Sequence, residues 1–534
     1  MATAVDLVGV HGTRSTSPAS TGPASTGLVT SGLVMSGHAA AGKLATRVAA
    51  RIEAEIVRRG WPAGQSLGSE VDLREQYQVS RAVLREALRL VEHHHLARMQ
   101  RGPGGGLLVV TPDPGPATRA SVIYLEYLGA SVDDVLATRL LLEPLAAALA
   151  AERITEDGIA LLRGALAAQA TRAAQGERAG GHPRQMWSHD PLHVVLGELS
   201  GNPVLRLFID VLTRLTSRYA HQARQLSAGE LTAALDGCQR WHAAIVEAVI
   251  AGDAARAQTR MTDYLDTIAA WLREHAAGPG AGYRAAHAPE YGLADPGGDE
   301  PSQPDQAGPS KAKLAEVVAD RIYQDIARQG WPVGAVLGSE AGLLAQYRVS
   351  RAVFREAVRL LEYHAVARMR RGPGGGLIVT QPEPQASIEA MALYLEYKQG
   401  TGEDLRMVRE AIELGTVAGV LASRDDPQVA ARLHAAARWT PGGPGGPAAD
   451  PAEPFHTELA QLAGNPVLML FLRILGELFW RHTARQRVPL PPAEVARQVA
   501  QTHQRILDAI LAGDGCLARH RIRRHLAALS PWWY

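Results

Sequence analysis

Residues Val79–Val109 read VSRAVLREALRLVEHHHLARMQRGPGGGLLV, and at Val349–Val379 the chain repeats itself as VSRAVFREAVRLLEYHAVARMRRGPGGGLIV. Over the longer window Trp61–Val109 against Trp331–Val379, 33 of 49 positions are identical without a gap. Each copy opens on a serine able to cap a helix, Ser80 or Ser350, and continues with arginines four residues apart. At about 100° per residue, Arg81, Arg85 and Arg89 share one narrow face, and Arg351, Arg355 and Arg359 repeat it. Val83, Ala87, Leu90 and Val91 fall opposite and form the expected packing face, matched by Val353, Ala357, Leu360 and Leu361.

The flanks complete a small domain. A helix over about 43–59 carries Leu44, Val48, Ile52 and Ile56 at helical spacing. Ser69 can cap a second, short helix, with Asp72 completing a capping box; in the second copy Ser339 keeps the cap and Gly342 loses the box. After the third helix, LARMQRG and GGLLVVT read as two strands joined by a glycine-rich turn. A solvated face is the bland reading of one amphipathic helix. An exposed face made only of arginine, beginning at a helix N-terminus one tight turn after a shorter helix, points instead to a helix-turn-helix reading DNA. Arginine suits this because its planar fork bonds guanine O6 and N7 together, or a phosphate. Arg98, Arg101, Arg368, Arg370 and Arg371 flank the GPGGG turns, where Gly104 and Gly374 would let backbone approach a groove. A nucleotide-phosphate loop is the rival, but no Lys-Ser/Thr follows.

Composition sets the surroundings. The net charge of the 534 residues is only +1, so a basic surface has to be local. The two cysteines, Cys238 and Cys516, occupy unmatched places in the halves, which excludes a disulfide framework and suggests a reducing cytoplasm. No apolar run approaches the length of a membrane span. The repeat continues beyond the small domain. LSGNPVLRLFIDVL (199–212) matches LAGNPVLMLFLRIL (462–475), and HAAIVEAVIAGD (242–253) matches HQRILDAILAGD (503–514). The expected fold is mainly α: two winged helix-turn-helix domains of three helices plus a hairpin wing, each followed by an all-helical bundle. The boundaries are a disordered tail over 1–42, winged domains over 43–112 and 311–382, bundles over 117–276 and 386–534, and a flexible linker over 277–310.

The string LGSEVDLREQYQVSRAVLREALRLVE with its glycine wing resembles the winged helix-turn-helix of the GntR superfamily, FadR-like branch, in both copies. TRLLLEPLAAALAA (138–151) resembles the opening of that branch's helical FCD effector domain. The resemblance implies that Arg81, Arg85, Arg351 and Arg355 contact operator DNA, with Ser80, Arg89, Arg101, Gly104, Ser350, Arg359, Arg371 and Gly374 completing the surface. Val71 and Ala341 stand where the family often has a further arginine. The resemblance further implies that an acid and three histidines hold a divalent metal such as Zn or Ni, beside an arginine that receives a small carboxylate. In the second half the histidines' places fall on His456, His503 and His525, while the acid's place holds Ala452, with Glu453 beside it as the substitute; in the first, the acid's place holds His189 and two histidine places fall on His193 and His242, with Tyr264 at the third and a weaker or absent site expected. Arg139 and Arg409 take the arginine's place, each four residues before a glutamate, Glu143 or Glu413, so an ion pair along the helix is the plain alternative.

The function these readings imply is that of a cytoplasmic transcription regulator, a repressor in the first instance, and not an enzyme. A small organic acid would control its affinity for double-stranded operator DNA. The duplication would make it a covalent pseudo-dimer on a near-palindromic operator, or else a homodimer of whole chains. An architectural DNA-binding protein without an effector, and a metal-dependent hydrolase targeted to DNA, are the competing classes.

Overall fold

In this computed structural model, the described residues are 44–45, 47–93, 96–100, 102, 105–178, 191–222, 228–275, 311–370, 372, 374–437, 453–486 and 493–529. The expected tail over 1–42 and linker over 277–310 lie outside them.

The first winged domain is built from α1 (47–58), α2 (Glu70–Tyr77), α3 (Arg81–His93), β1 (Ala97–Gln100) and β2 (Gly106–Val109). Ser69 and Asp72 form the capping box that starts α2. Gln78 then ends it in the left-handed region (φ 52°), which turns the chain sharply enough for Ser80 to start α3 two residues later, its hydroxyl accepting the Val83 N–H. Two details differ from the sequence reading. Leu44 is exposed, and the buried residue at that end of the first helix is Ala45, followed by Val48 and Ala49. The buried stripe of α3 is Leu84, Ala87, Leu88 and Val91, with Val83 and Leu90 half-buried at its margin. The apolar face thus lies to one side of the arginines rather than opposite them. Spacings of three and four fit either stripe, and what lies against the helix selects between them.

The first helical domain runs through α4 (Gly115–Tyr127), α5 (Val132–Glu152), α6 (Glu156–Arg178), α7 (Pro191–Leu199), α8 (Pro203–Gln222), α9 (Ala228–Ile250) and α10 (Ala254–His275). The second winged domain follows as α11 (Lys311–Arg328), β3 (Val336–Gly338), α12 (Glu340–Tyr347), α13 (Arg351–Tyr363), β4 (Ala367–Arg370) and β5 (Gly376–Val379). Its sheet has three strands in the order β3-β5-β4, and β3 was not legible as a strand in the sequence. In the first copy the corresponding contact is a single bridge, Ser66 to Leu108. The second helical domain comprises α14 (Gln385–Tyr397), α15 (Gly402–Ala422), α16 (Pro427–Ala437), α17 (Glu453–Leu462), α18 (Pro466–Gln486), α19 (Ala493–Leu511) and α20 (Gly515–Leu529).

The two helical domains share one core. Phe208 of α8 and Phe471 of α18, both fully buried, stack with ring centroids 3.9 Å apart and planes within 12°. Leu125, Leu142, Leu205 and Leu212 from the first half meet Met391, Leu395, Leu468 and Leu475 from the second in the same cluster. The repeated GNPVL motif clasps the halves reciprocally. Asn202 Nδ2 donates to the Asp404 carbonyl at 3.0 Å, and Asn465 Nδ2 donates to the Asp134 carbonyl at 3.0 Å. Each asparagine Oδ1 meanwhile accepts two N–H groups at the start of its own helix: Val204 and Leu205, or Val467 and Leu468. One small side chain therefore caps a helix and bridges to the other half, and the proline that follows has no N–H to leave orphaned.

The second winged domain packs against the first half's helices. Ile123 of α4 belongs to its core cluster with Ile322, Ile326, Phe354 and Trp331. Tyr127 meets Trp331 edge-on at 5.5 Å, and the Arg218 guanidinium of α8 lies 4.9 Å over the Tyr323 ring.

Candidate DNA-reading and effector sites

Both arginine faces are exposed and built alike. Glu70, the first residue of α2, accepts from Arg81 Nε at 2.8 Å and from Arg85 Nε at 3.1 Å, both on the same Oε1. Glu340 Oε1 lies 3.5 Å from Arg351 Nε and 3.4 Å from Arg355 Nε. Hydrogen bonds from Arg81, then Arg85, hold the Glu70 carboxyl below its usual range. Arg89 and Arg359 pair instead with Glu86 and Glu356 on their own helices, at 2.9 and 2.8 Å. Ser80 and Ser350 are exposed at the same helix starts. Arg98, Arg368 and Arg370 are exposed on the wings, and Arg370 Nη2 donates to the Gly374 carbonyl at 2.7 Å. Arg101, Gly104 and Arg371 lie outside the described residues. The glutamate of LGSE as a partner of both arginines was missed in the sequence, because its contacts lie 11 and 15 residues away.

The wing glycines do two jobs. Gly374 (φ 70°) has open space around it and is needed for its backbone angle. Gly106 (φ 144°) and Gly376 (φ 154°) are needed for room as well, since a Cβ would collide with the carbonyl of Gly68 or Gly338. That close approach joins the wing to the residues just before α2 and, through β3, to those just before α12.

In the second helical domain three buried histidines converge from α17, α19 and α20. His525 Nε2 lies 3.2 Å from His456 Nε2 and 3.0 Å from His503 Nε2. His456 Nδ1 contacts Glu413 Oε2, while Arg409 Nε donates to Glu413 Oε1 at 2.5 Å. Burial opposes ionisation of Glu413, yet His456 and Arg409 outweigh it and hold the carboxyl at about 2. Burial, then the neighbouring His456, pushes His503 far down and His525 down to about 3, so both rings are neutral and carry a lone pair. His503 also stacks on Phe455 at 4.2 Å. The two separations from His525 Nε2, 3.2 Å to His456 Nε2 and 3.0 Å to His503 Nε2, resemble edges of a tetrahedron about an ion with bonds near 2.0–2.1 Å, about 3.3 Å. A carboxylate fixing the far nitrogen of one ring is the usual support for such a ligand. The donor set fits a divalent ion. Glu453 opens α17, but its side chain lies outside the described residues.

The first helical domain repeats half of this. His193 Nδ1 contacts Glu143 Oε2 at 2.7 Å, and Arg139 donates to both oxygens of Glu143, at 2.5 and 3.0 Å. Burial opposes ionisation there too, and Arg139 with His193 holds Glu143 at about 2. Arg139 Nη1 also reaches Thr216 Oγ1 of α8 at 3.3 Å. His193 Nε2 faces His242 Nε2 at 3.3 Å, but the third place holds the Tyr264 ring, stacked on His193 at 5.3 Å. His242 Nδ1 lies 3.0 Å from Gln169 Oε1, and Cys238 Sγ is 3.6 Å from His242 Nε2 and 3.7 Å from the Tyr264 hydroxyl. His189 lies outside the described residues. The helix ion pairs foreseen for Arg139 and Arg409 are both present. What the sequence reading missed is that each glutamate also holds a histidine; the matching Arg-x-x-x-Glu in the two halves was the available signal. Gln169 and Cys238 have no matching signal in the other half.

Close to the second winged domain, Arg218 Nη1 donates to both oxygens of Glu126, at 3.2 and 2.9 Å. Burial lifts the Glu126 carboxyl to about 7 against the pull of Arg218, and burial raises Asp320 of α11 as well. No helix among the described residues is long and apolar enough to cross a membrane.

Comparison with known proteins agrees with this architecture. The family described as bacterial regulatory proteins, gntR family, matches residues 44–107 and 314–376, and the FCD domain matches 134–267 and 403–528. An Escherichia coli (strain K12) protein provisionally named L-lactate dehydrogenase operon regulatory protein is 29% identical over 220 residues, 40% of this chain and 84% of its own length. The HTH-type transcriptional repressor NanR of Salmonella newport (strain SL254) is 26% identical over 251 residues, 42% of this chain and 87% of its own. A solved Streptococcus agalactiae GntR structure aligns with 42% of this chain and 99% of its own at 21% identity and a TM-score of 0.30. Each of the two curated relatives thus corresponds to about one half of the duplicated chain. With both domain types matched twice over most of its length, the chain belongs to the GntR family of DNA-binding transcription regulators and carries two winged helix-turn-helix domains and two FCD domains in tandem.

Proposed function

We propose that the chain is a covalent pseudo-dimer that reads a near-palindromic operator with its two arginine faces and represses from it. The observation that carries this reading is the reciprocal clasp of Asn202 on Asp404 and Asn465 on Asp134 around the Phe208–Phe471 stack. One chain supplies both members of a pair that two single-domain chains would form by dimerising. Two reading helices of like sequence suit a site made of two like half-sites. Joining them makes the second docking step intramolecular.

Affinity for the operator is set by a small carboxylate in the helical domains. In the second half His456, His503 and His525 would hold a divalent ion, with Glu453 as the remaining oxygen donor. The bound ion would supply positive charge and open coordination positions for an anion. Glu413 keeps His456 turned so that Nε2 faces inward, and Arg409 balances the charge of Glu413. In the first half Tyr264 and Cys238 fill the third ligand's surroundings, so that pocket holds its metal weakly or not at all. The signal crosses between halves. Arg139 touches α8 at Thr216, and two residues on, Arg218 of the same helix lies on Tyr323 of the second winged domain. A ligand that displaces Glu143 or Thr216 from Arg139 shifts α8 against that domain. The shift in affinity is bounded by the ligand's preference between the two states.

Selection of bound duplexes from random DNA tests the reading. The expected product is an inverted repeat whose capture falls steeply with salt and is lost when Arg81, Arg85, Arg351 and Arg355 are all changed to Ala. Recovery of no preferred sequence, or capture that survives this substitution, overturns it.

A further inference from the structure

We infer that Glu70 and Glu340 are specificity-positioning residues, which hold the leading arginines for end-on reading of bases and keep them off the phosphates. The inference rests on the proposed role of the arginine faces in reading DNA.

A carboxylate on a surface that meets polyanionic DNA lowers affinity for every sequence, since it repels phosphate wherever the domain lands. Yet each copy places one at the start of α2 or α12, between its first two arginines. In the first copy Glu70 Oε1 accepts the Nε–H of both Arg81 and Arg85. Binding through Nε consumes the side edge of each guanidinium and leaves its Nη1 and Nη2 edge directed away from the glutamate. Two arginines tied to one oxygen are also held at a fixed mutual orientation, where free side chains would sample many rotamers. The tie is geometric support for base reading, because a guanine pair needs two N–H groups at one angle, whereas a phosphate accepts from many. Arg89 and Arg359 lack it: their glutamates sit one turn away on the same helix, and their side chains are 75% and 74% exposed. They suit phosphate.

The second copy holds its arginines more loosely, 3.5 and 3.4 Å against 2.8 and 3.1 Å. The first copy therefore discriminates more sharply between bases in its half-site.

The test uses the full chain and two probes, the duplex that the wild type selects from random DNA and the unselected random pool. Glu70→Gln with Glu340→Gln keeps size, removes both charges and, by putting a neutral amide where a carboxylate stood, weakens the tie to both arginines. Expected are tighter binding of the random pool, weaker binding of the selected duplex, and a selected-to-random ratio lowered by about tenfold or more. Glu86→Gln with Glu356→Gln removes the same charge from the neighbouring helix face and should tighten both probes alike, leaving the ratio in place. Glu70→Gln alone should lower the ratio more than Glu340→Gln alone. If the Glu70/Glu340 variant moves both probes by the same factor in either direction, or moves neither, the positioning role is refuted. If the wild type selects no sequence at all, the DNA-reading proposal fails first, and the two failures are distinct.

Discussion

Replacing Phe471 with Ala tests whether the two halves share one core. Its ring is fully buried and stacked on Phe208 at 3.9 Å. An aromatic side chain buries roughly 150–250 Å². At about 25 cal/mol per Å² that is roughly 4–6 kcal/mol, and residual burial in the unfolded chain brings it to about 3–5, in line with Phe→Ala changes in other cores. The decisive number is the coupling. Phe208→Ala, Phe471→Ala and the double variant form a cycle, read by urea unfolding of the full chain on its helical circular dichroism. The lone partner ring in each single variant has already lost the stack, so the double variant should cost less than the sum by about 0.5–1.5 kcal/mol. Independent cores would give additive costs, within about 0.3–0.5 kcal/mol. Additivity, or a Phe471→Ala cost under about 1 kcal/mol, refutes the shared core.

Gly376→Ala should destabilise the second winged domain by about 2 kcal/mol or more, because both the backbone angle and the Gly338 carbonyl oppose a Cβ; Gly374→Ala, with open space around it, should cost about 1 kcal/mol, both measured by thermal denaturation. Tyr264→His should raise the zinc retained after dialysis from one towards two ions per chain, and His456→Ala should remove the one, as read by atomic emission. Glu126 titrates near 7 when folded against an ordinary value of 4.5, so the folded state binds the extra proton between those values. Stability should therefore fall as pH rises from about 5 to 7, and Glu126→Gln should flatten that slope in urea unfolding.

The reading helices, their caps and their arginines were legible because each depends on neighbours a few residues apart: Ser69 on Asp72, Ser80 on Val83, and the arginines on a spacing of four. Duplication made the GNPVL motif visible as a repeat without giving it a task, since its partners, Asp404 and Asp134, lie 202 and 331 residues away. The candidate metal-holding histidines were placed by resemblance alone, and the structure adds the meeting of His456, His503 and His525 in one buried cluster. The same limit hid the tie of Glu70 to Arg81 and Arg85, and the double use of Glu143 and Glu413. Periodicity also left the rotation of α3 undetermined, and packing turned its buried stripe to Leu84 and Leu88. The strand β3 was hidden in a three-residue stretch too short to show alternation.

The central claim is that one chain supplies both reading heads to one operator. Sedimentation of the full chain with its selected duplex at matched concentrations measures it directly. The account predicts one chain per duplex, with two protected half-sites and affinity lost on changing Arg81 and Arg85 or Arg351 and Arg355 alone. Two chains per duplex, or one pair of arginines dispensable, would contradict it.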